Sequence, residues 1–261
     1  MVADLQGGNR ILKPFKWYRD LAAKPRLRKT EGCFLIEGRR AIGQVLHYCP
    51  DHIIEIITFE RDLPMNYAGP RRFVTQAEYG SLSPSITPRG PLAVASIPDK
   101  VYSNYLPEEP GTRIVVLEDV QDPGNVGALI RAAAAFDYDG ILLSAGCADP
   151  FAPKVIQATA GSVYALWLRK VDDFIASVKH LSSQGYSLVG TSSIPAPAPL
   201  QNIPQRHALV LGNEGNGLSR SLRDTIDHML TIEMNSGKVE SLNVALAGAV
   251  CMDRIRSHRN T

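Results

Sequence analysis

Apolar positions along this chain fall into short runs with two periods, one helical and one strand-like. Residues 16–28 mix apolar and basic side chains at helical spacing, and Phe34-Leu-Ile-Glu-Gly reads as a short strand. A helix follows over 39–47 with Ala41, Ile42, Val45 and Leu46 inward, then a buried strand over 51–59 carrying Ile53, Ile54, Ile56 and Ile57. Pro84, Pro88 and Pro91 break the next stretch before a strand over 92–97. Residues 98–112, rich in Pro, Glu, Gly and Asn, read as a linker. Beyond it strands are predicted over 114–117, 140–143, 163–168, 187–190 and 207–211. Helices are predicted over 126–136, 153–159, 172–181 and 242–256. Alternation of this kind implies a mostly parallel sheet covered on both faces, with ligands beyond the carboxyl ends of its strands.

Composition changes the picture in two ways. At 44% hydrophobic and 21% charged residues, the 261-residue chain can build real cores, two domains' worth by length. Its longest apolar runs are too short or too rich in small residues to span a bilayer. The first residues carry no basic segment followed by an apolar run, so a cytoplasmic protein is expected. Cys33, Cys49, Cys147 and Cys251 lie far apart and the six histidines are scattered, so neither a disulfide framework nor a metal site is indicated. The net charge of +2 conceals an asymmetry. Residues 1–40 hold ten Lys or Arg against four acids, a net +6, which leaves −4 on the remainder. A basic arm suits a polyanion, because phosphate contacts release counterions; a solvated helix face is an equally good reading of charge alone.

Three segments hold residues that folding does not require. In Leu117-Glu-Asp-Val-Gln-Asp-Pro-Gly-Asn-Val-Gly, Pro123 and Gly124 turn the chain after a strand, and Asn125 is expected to cap the next helix. Capping does not account for Arg131 within the apolar stretch that follows, since a guanidinium there needs an anionic or polar partner. The second segment, Leu209-Val-Leu-Gly-Asn-Glu-Gly-Asn-Gly-Leu, follows a buried strand, and Gly212, Gly215 and Gly217 are expected to let backbone approach a ligand. It is not a P-loop, because Leu218 stands where the lysine is required, and not a dinucleotide fingerprint, whose third glycine would fall at Arg220. In the third, Ile232-Glu-Met through Ser241-Leu-Asn-Val-Ala, Ser241 is expected to cap a helix with Asn243 in its first turn. The small residues Ala245, Ala247, Gly248 and Ala249 suit close packing within the chain or between subunits.

Together, Asp122-Pro-Gly-Asn-Val-Gly with Arg131, then Leu211-Gly-Asn-Glu-Gly-Asn-Gly-Leu, then Ile232-Glu-Met with Ser241-Leu-Asn-Val-Ala resemble the three motifs of the SpoU (TrmH-type) ribose 2′-O-methyltransferases. They stand in the family's order over roughly 113–257. The resemblance implies an α/β methyltransferase domain closed by a deep trefoil knot, a topology that general folding rules would have excluded. It implies S-adenosyl-L-methionine as cofactor, RNA as substrate and a homodimer with its site near the subunit interface. The segment from Glu31-Gly-Cys-Phe-Leu-Ile-Glu-Gly-Arg is similar, more loosely, to the small α/β ribosomal-protein-like RNA-binding domain of many members. The expected division is 1–100 for RNA binding, 101–112 as linker and 113–261 for catalysis.

The same resemblance assigns residues. Thr191, Leu211, Gly212, Asn213, Gly217, Ile232, Met234, Ser241 and Leu242 are expected around the cofactor, mainly through backbone groups. Asn125, Arg131, Glu214, Ser241 and Asn243 form the expected catalytic set. There Arg131 either takes the proton of the ribose hydroxyl, hard for a guanidinium, or stabilises the developing alkoxide as a cation. Arg26, Arg28, Lys29, Arg39 and Lys154 are the expected RNA contacts. Within Pro150-Phe-Ala-Pro-Lys-Val-Ile-Gln-Ala-Thr-Ala-Gly, the family often has Arg at Gln157 and Ser at Thr159, which bears on substrate identity. The two-domain layout points to large-subunit ribosomal RNA before tRNA. A non-catalytic RNA-binding relative and an α/β enzyme for another nucleotide are the rival classes.

Overall fold

The computed structural model describes residues 13–61, 65–85, 87–88, 90–192, 203–235 and 237–257. The chain opens with α1 (Phe15–Ala23), α2 (Pro25–Glu31), β1 (Cys33–Glu37), α3 (Arg39–Tyr48) and β2 (Ile53–Thr58). It continues through β3 (Arg71–Phe73), α4 (Gln76–Leu82), β4 (Leu92–Ser96) and β5 (Arg113–Leu117). Then come α5 (Pro123–Ala135), β6 (Gly140–Leu143), α6 (Pro153–Thr159), β7 (Trp167–Lys170) and α7 (Phe174–Ser183). The last elements are β8 (Ser187–Ser192), β9 (His207–Leu211), α8 (Arg220–Arg223), β10 (His228–Thr231) and α9 (Val244–Ser257). They form two compact units, one of residues 1–98 with 151–164, the other of 99–150 with 165–261.

In the first unit a four-stranded sheet has the order β1-β4-β2-β3, antiparallel except for the parallel β2–β3 edge. Both faces are covered, which is why β1 reads as a continuous apolar run. Leu35 joins Tyr18, Leu21, Tyr79 and Leu82 on one side. On the other, Phe34 meets Phe151 at 4.8 Å between ring centroids. The predicted helix over 16–28 is two helices, because Pro25 has no N–H to continue α1 and starts α2 instead. β3 and α4 escaped the periodicity reading, β3 because it is three residues long; α4 carries a capping box, Thr75 with Glu78.

The second unit holds a six-stranded, all-parallel sheet in the order β10-β8-β9-β5-β6-β7. From β5 the chain adds β6 and β7 on one side, then β8 to β10 on the other, with β9 inserted beside β5. Strand order therefore reverses between β5 and β9, the place where open parallel sheets bind ligands. One sheet face is packed by Val171, Phe174, Val178 and Leu181 of the β7–α7 segment. The other is covered by α5 and by α9, which packs against α5 and β9. The expected linker is bound to this unit: Lys170 N–H donates to the Val101 carbonyl at 2.7 Å, and Trp167 Nε1 to that of Pro110 at 3.0 Å. The predicted strand over 163–168 starts only at Trp167, because residues Ser162–Tyr164 form a 3-10 turn with Val163 buried. β10 and α8, four residues each, were not predicted.

Candidate functional site

The end of β8 and the segments that follow β9 and β10 line a cavity of about 430 Å3 at the carboxyl ends of these strands. Thr191 and Ser192 line it from β8, residues 212–218 from the loop after β9, and Ile232, Met234, Glu240, Ser241 and Leu242 from the segment after β10. Eight of the nine residues expected around a cofactor are in this lining. The ninth, Leu211, ends β9 as a fully buried core residue; its carbonyl accepts from Glu118 N–H at 2.9 Å.

The glycine loop is shaped by its own bonds. Asn213 and Gly217 exchange backbone hydrogen bonds at 3.1 and 2.9 Å, and Gly217 takes a φ of +65°. Asn213 Oδ1 accepts from the amides of Gly215 and Asn216 at 2.9 and 3.0 Å, while its Nδ2 donates to the Asp119 carbonyl at 2.9 Å. Gly212 is needed for a reason other than the expected ligand approach. A Cβ there would lie 2.4 Å from the carbonyl carbon and oxygen of Gly217 and 2.6 Å from Leu218 N, a collision with backbone.

The second set of expected residues splits. Asn125 Nδ2 donates to Glu214 Oε1 at 2.9 Å, and Asn243 Nδ2 donates to Asn125 Oδ1 at 2.8 Å. Asn125 thus joins two segments that each lie more than eighty residues from it in sequence. Asn125 is not the cap of α5. Asp122 caps it, accepting from Asn125 N–H at 2.9 Å, and the helix begins at Pro123. Nor does Ser241 cap α9. Asn243 Oδ1 accepts from the amides of Ala245 and Leu246 at 2.9 and 3.3 Å, which leaves Ser241 exposed in the cavity wall. Arg131 is exposed on α5, outside the lining, and has no hydrogen-bonding or ionic partner among the described residues. Six positions along a helix place it about 120° around from Asn125, so the two point to different sides.

Sequence reasoning missed three contributors. Glu118, nearly buried, accepts from Ser219 N–H at 2.7 Å and so fixes the far end of the glycine loop. Glu240 and Arg223 also line the cavity. Glu240 is adjacent to Ser241 and was within reach of the motif; nothing in the sequence singles out Arg223. Beside the Asp119 turn, burial holds Lys170 below the ordinary lysine range while its ammonium donates to the carbonyls of Ser144 and Cys147.

All five expected RNA contacts lie in the first unit, Lys154 included. Arg26, Lys29, Arg39 and Lys154 are exposed, and Arg39 pairs with Glu60. Arg28 is a correction. It is 2% exposed, and its Nη1 donates to the carbonyls of Leu21 and Ala22 at 2.7 and 2.8 Å, so it ties α2 to α1 and offers nothing to RNA. Thr159 is likewise buried, bonded to the Ile156 carbonyl at 2.8 Å, whereas Gln157 is exposed.

The profile of the SpoU rRNA Methylase family matches residues 112–253. Over 92% of its length the chain is 30% identical to the 23S rRNA (guanosine(2553)-2′-O)-methyltransferase RlmP of Bacillus subtilis, covering 95% of that relative. It is 31% identical to the 23S rRNA (guanosine-2′-O-)-methyltransferase RlmB of Vibrio vulnificus over 53% of the chain, and spans about half of that protein (56%). Among solved structures, the SpoU methyltransferase AviRb from Streptomyces viridochromogenes, in complex with AdoMet, superposes with a TM-score of 0.81. At 22% identity, with 95% of this chain and 98% of that one covered, it shares the fold.

Proposed function

Because this chain belongs to the SpoU rRNA Methylase family, we propose that it transfers the methyl group of S-adenosylmethionine to a ribose 2′-hydroxyl of RNA. One observation carries the reading: the second and third motif segments line a single cavity, and the first is bonded to both through Asn125, which joins Glu214 and Asn243. The cavity fits the cofactor in size and charge. About 430 Å3 lies within the range of small-molecule sites, and the carboxylates of Glu214 and Glu240 suit a sulfonium and an ammonium.

When bound, the cofactor supplies a methyl group activated on a positively charged sulfur. The chain's own work is positioning. Gly212, Ile232 and Leu242 present backbone groups to adenine and ribose, with Thr191, Asn213, Gly217 and Met234 completing the wall. Glu214 and Asn243, held by Asn125, keep the loops in register, and Ser241 faces the acceptor side. A guanidinium is a cation with donors and no acceptor. Exposed Arg131 therefore suits the phosphate next to the target and a developing alkoxide better than the role of base.

Three finer features belong to the same reading. The segment after β10 is threaded to make a trefoil knot, a reading supported by Ile232, Met234 and Ser241 sharing one cavity with the end of β8 and the loop after β9 before α9 packs on α5 and β9. The first unit holds RNA through Arg26, Lys29, Arg39 and Lys154, with large-subunit ribosomal RNA as substrate by analogy with the named relatives. The chain pairs as a homodimer through the outer side of α9, where Leu246 and Val250 stand one turn apart at 61% and 36% exposure. Gly248 is not part of that face: a Cβ there would meet Leu129 and Leu211 at 2.6 and 2.8 Å, inside the subunit.

Calorimetric titration with S-adenosylmethionine, then transfer of labelled methyl to ribosomal RNA, tests the reading. Binding followed by transfer is expected. Binding without transfer to any RNA would favour a non-catalytic relative, and no binding would overturn the assignment of the cavity.

A further inference from the structure

Among the cavity's described lining residues there are three charged side chains, Glu214, Glu240 and Arg223, so Arg223 is the single cation. It stands at the end of α8, and its Nε and Nη2 donate to the Leu218 carbonyl at 3.1 and 2.6 Å. Two consequences follow from that grip. The guanidinium is held in place at the Leu218 end of the glycine loop, whereas Glu214 is tied by Asn125 at the loop's tip, so the opposite charges are fixed on different parts of the wall. Three of the five guanidinium N–H groups also remain uncommitted, and no carboxylate pairs with Arg223 among the described residues. The carbonyl anchors the cation without neutralising it.

S-adenosylmethionine carries a sulfonium, an ammonium and one carboxylate. The two acids of the wall suit the cationic groups, and a planar, pre-oriented guanidinium suits the carboxylate. Building on the function proposed above, we propose that Arg223 binds the carboxylate of the cofactor's amino-acid tail and makes the cavity select ligands that carry that tail. Most of the other expected cofactor contacts come from backbone, which any side chain at those positions would provide. Arg223 adds a contact that depends on side-chain identity.

Two ligands separate this role from a structural one: S-adenosylhomocysteine, which has the amino-acid tail, and 5′-methylthioadenosine, which lacks it. Calorimetric titration of the full-length protein should give tighter binding of S-adenosylhomocysteine. In Arg223→Ala that ligand should weaken by about tenfold or more, the scale of a lost charge-assisted hydrogen bond. Affinity for 5′-methylthioadenosine should stay within about twofold, since it makes no such bond. Arg223→Lys, which keeps the charge but not the fork, should recover part of the preference, and it serves in place of the alanine variant if thermal melting shows that variant to be unfolded. Equal weakening of both ligands would mean that Arg223 only braces Leu218, and unchanged binding of both would place it outside the cofactor site, leaving RNA phosphate as its partner. Either result overturns the proposal. If the wild-type protein binds neither ligand, the cofactor reading of the cavity fails first.

Discussion

Replacing Gly212 by alanine probes the candidate site at its tightest point. The added Cβ would sit 2.4 Å from two backbone atoms of Gly217 and 2.6 Å from Leu218 N, where ordinary contact begins at 3.4 Å. The backbone would have to retreat by about 1 Å, and overpacking of that kind costs about 1–3 kcal/mol. The alternative is to open the turn. That gives up the two Asn213–Gly217 backbone bonds and the two bonds from Gly215 and Asn216 to the Asn213 side chain. At a net contribution of about 1 kcal/mol each, opening costs about 4 kcal/mol at most. Either route moves the loop that walls the cavity. Affinity for S-adenosylhomocysteine should fall at least about tenfold. The melting temperature should drop by several degrees, because 1 kcal/mol corresponds to roughly 2–4 °C at this size. Gly215→Ala is the comparison: its Cβ would meet only Asn213 Oδ1, at 3.6 Å, so the melting temperature should not move. Calorimetric titration and scanning calorimetry on the two variants decide. A Gly212→Ala protein with wild-type melting and wild-type affinity would refute the packing argument.

Five other outcomes are expected. Arg131→Ala should abolish methyl transfer while cofactor affinity stays within several-fold, since Arg131 lies outside the cavity; near-normal single-turnover rates would remove it from the reaction. Arg28→Ala should lose about 2–4 kcal/mol in denaturant unfolding, because it leaves two carbonyls unpaired and a void. Arg26→Glu with Lys29→Glu should instead flatten the salt dependence of RNA binding without a stability loss, and an unchanged slope would count against the basic face. Burial pushes the Cys33 and Cys251 thiols up to about 12, so both should resist alkylation at pH 8 in the native protein. Folded pKa values raised above the unfolded range also mean that their contribution is intact below about pH 9 and lost as pH rises towards 12; stability that increases over that window would contradict the burial. Leu246→Glu with Val250→Glu should yield monomers by light scattering if the outer side of α9 joins subunits, and a wild-type protein already monomeric at micromolar concentration would exclude the dimer.

Where local chemistry and long-range packing agree, the sequence reading is good. The second unit's strands are near-continuous apolar runs because both faces are covered, and the reading located β5, β6, β8 and β9 within two residues. α6 was found at its observed bounds, yet its place in the first unit is a matter of packing that no periodicity carries. Four-residue elements such as α8 and β10 hold too few positions for a period to show. The motifs led to the cavity because they follow strand ends, but the division of labour within them is three-dimensional. Asn125 was read as a cap from its type; Asp122, three residues earlier, is the cap, and that frees Asn125 to reach Glu214 and Asn243. Arg28 looked like its exposed neighbours Arg26 and Lys29, since charge is visible in a sequence and burial is not.

The most direct test of the account follows the labelled methyl group into the RNA. A methylated 2′-oxygen cannot attack the adjacent phosphate, so alkaline hydrolysis leaves the modified position as a dinucleotide. Full-length protein incubated with ribosomal RNA and labelled S-adenosylmethionine should place the label in alkali-stable dinucleotides, and Arg131→Ala should place none there. Label recovered in mononucleotides would mean methylation of a base, and would contradict the central claim even if the cofactor binds as proposed.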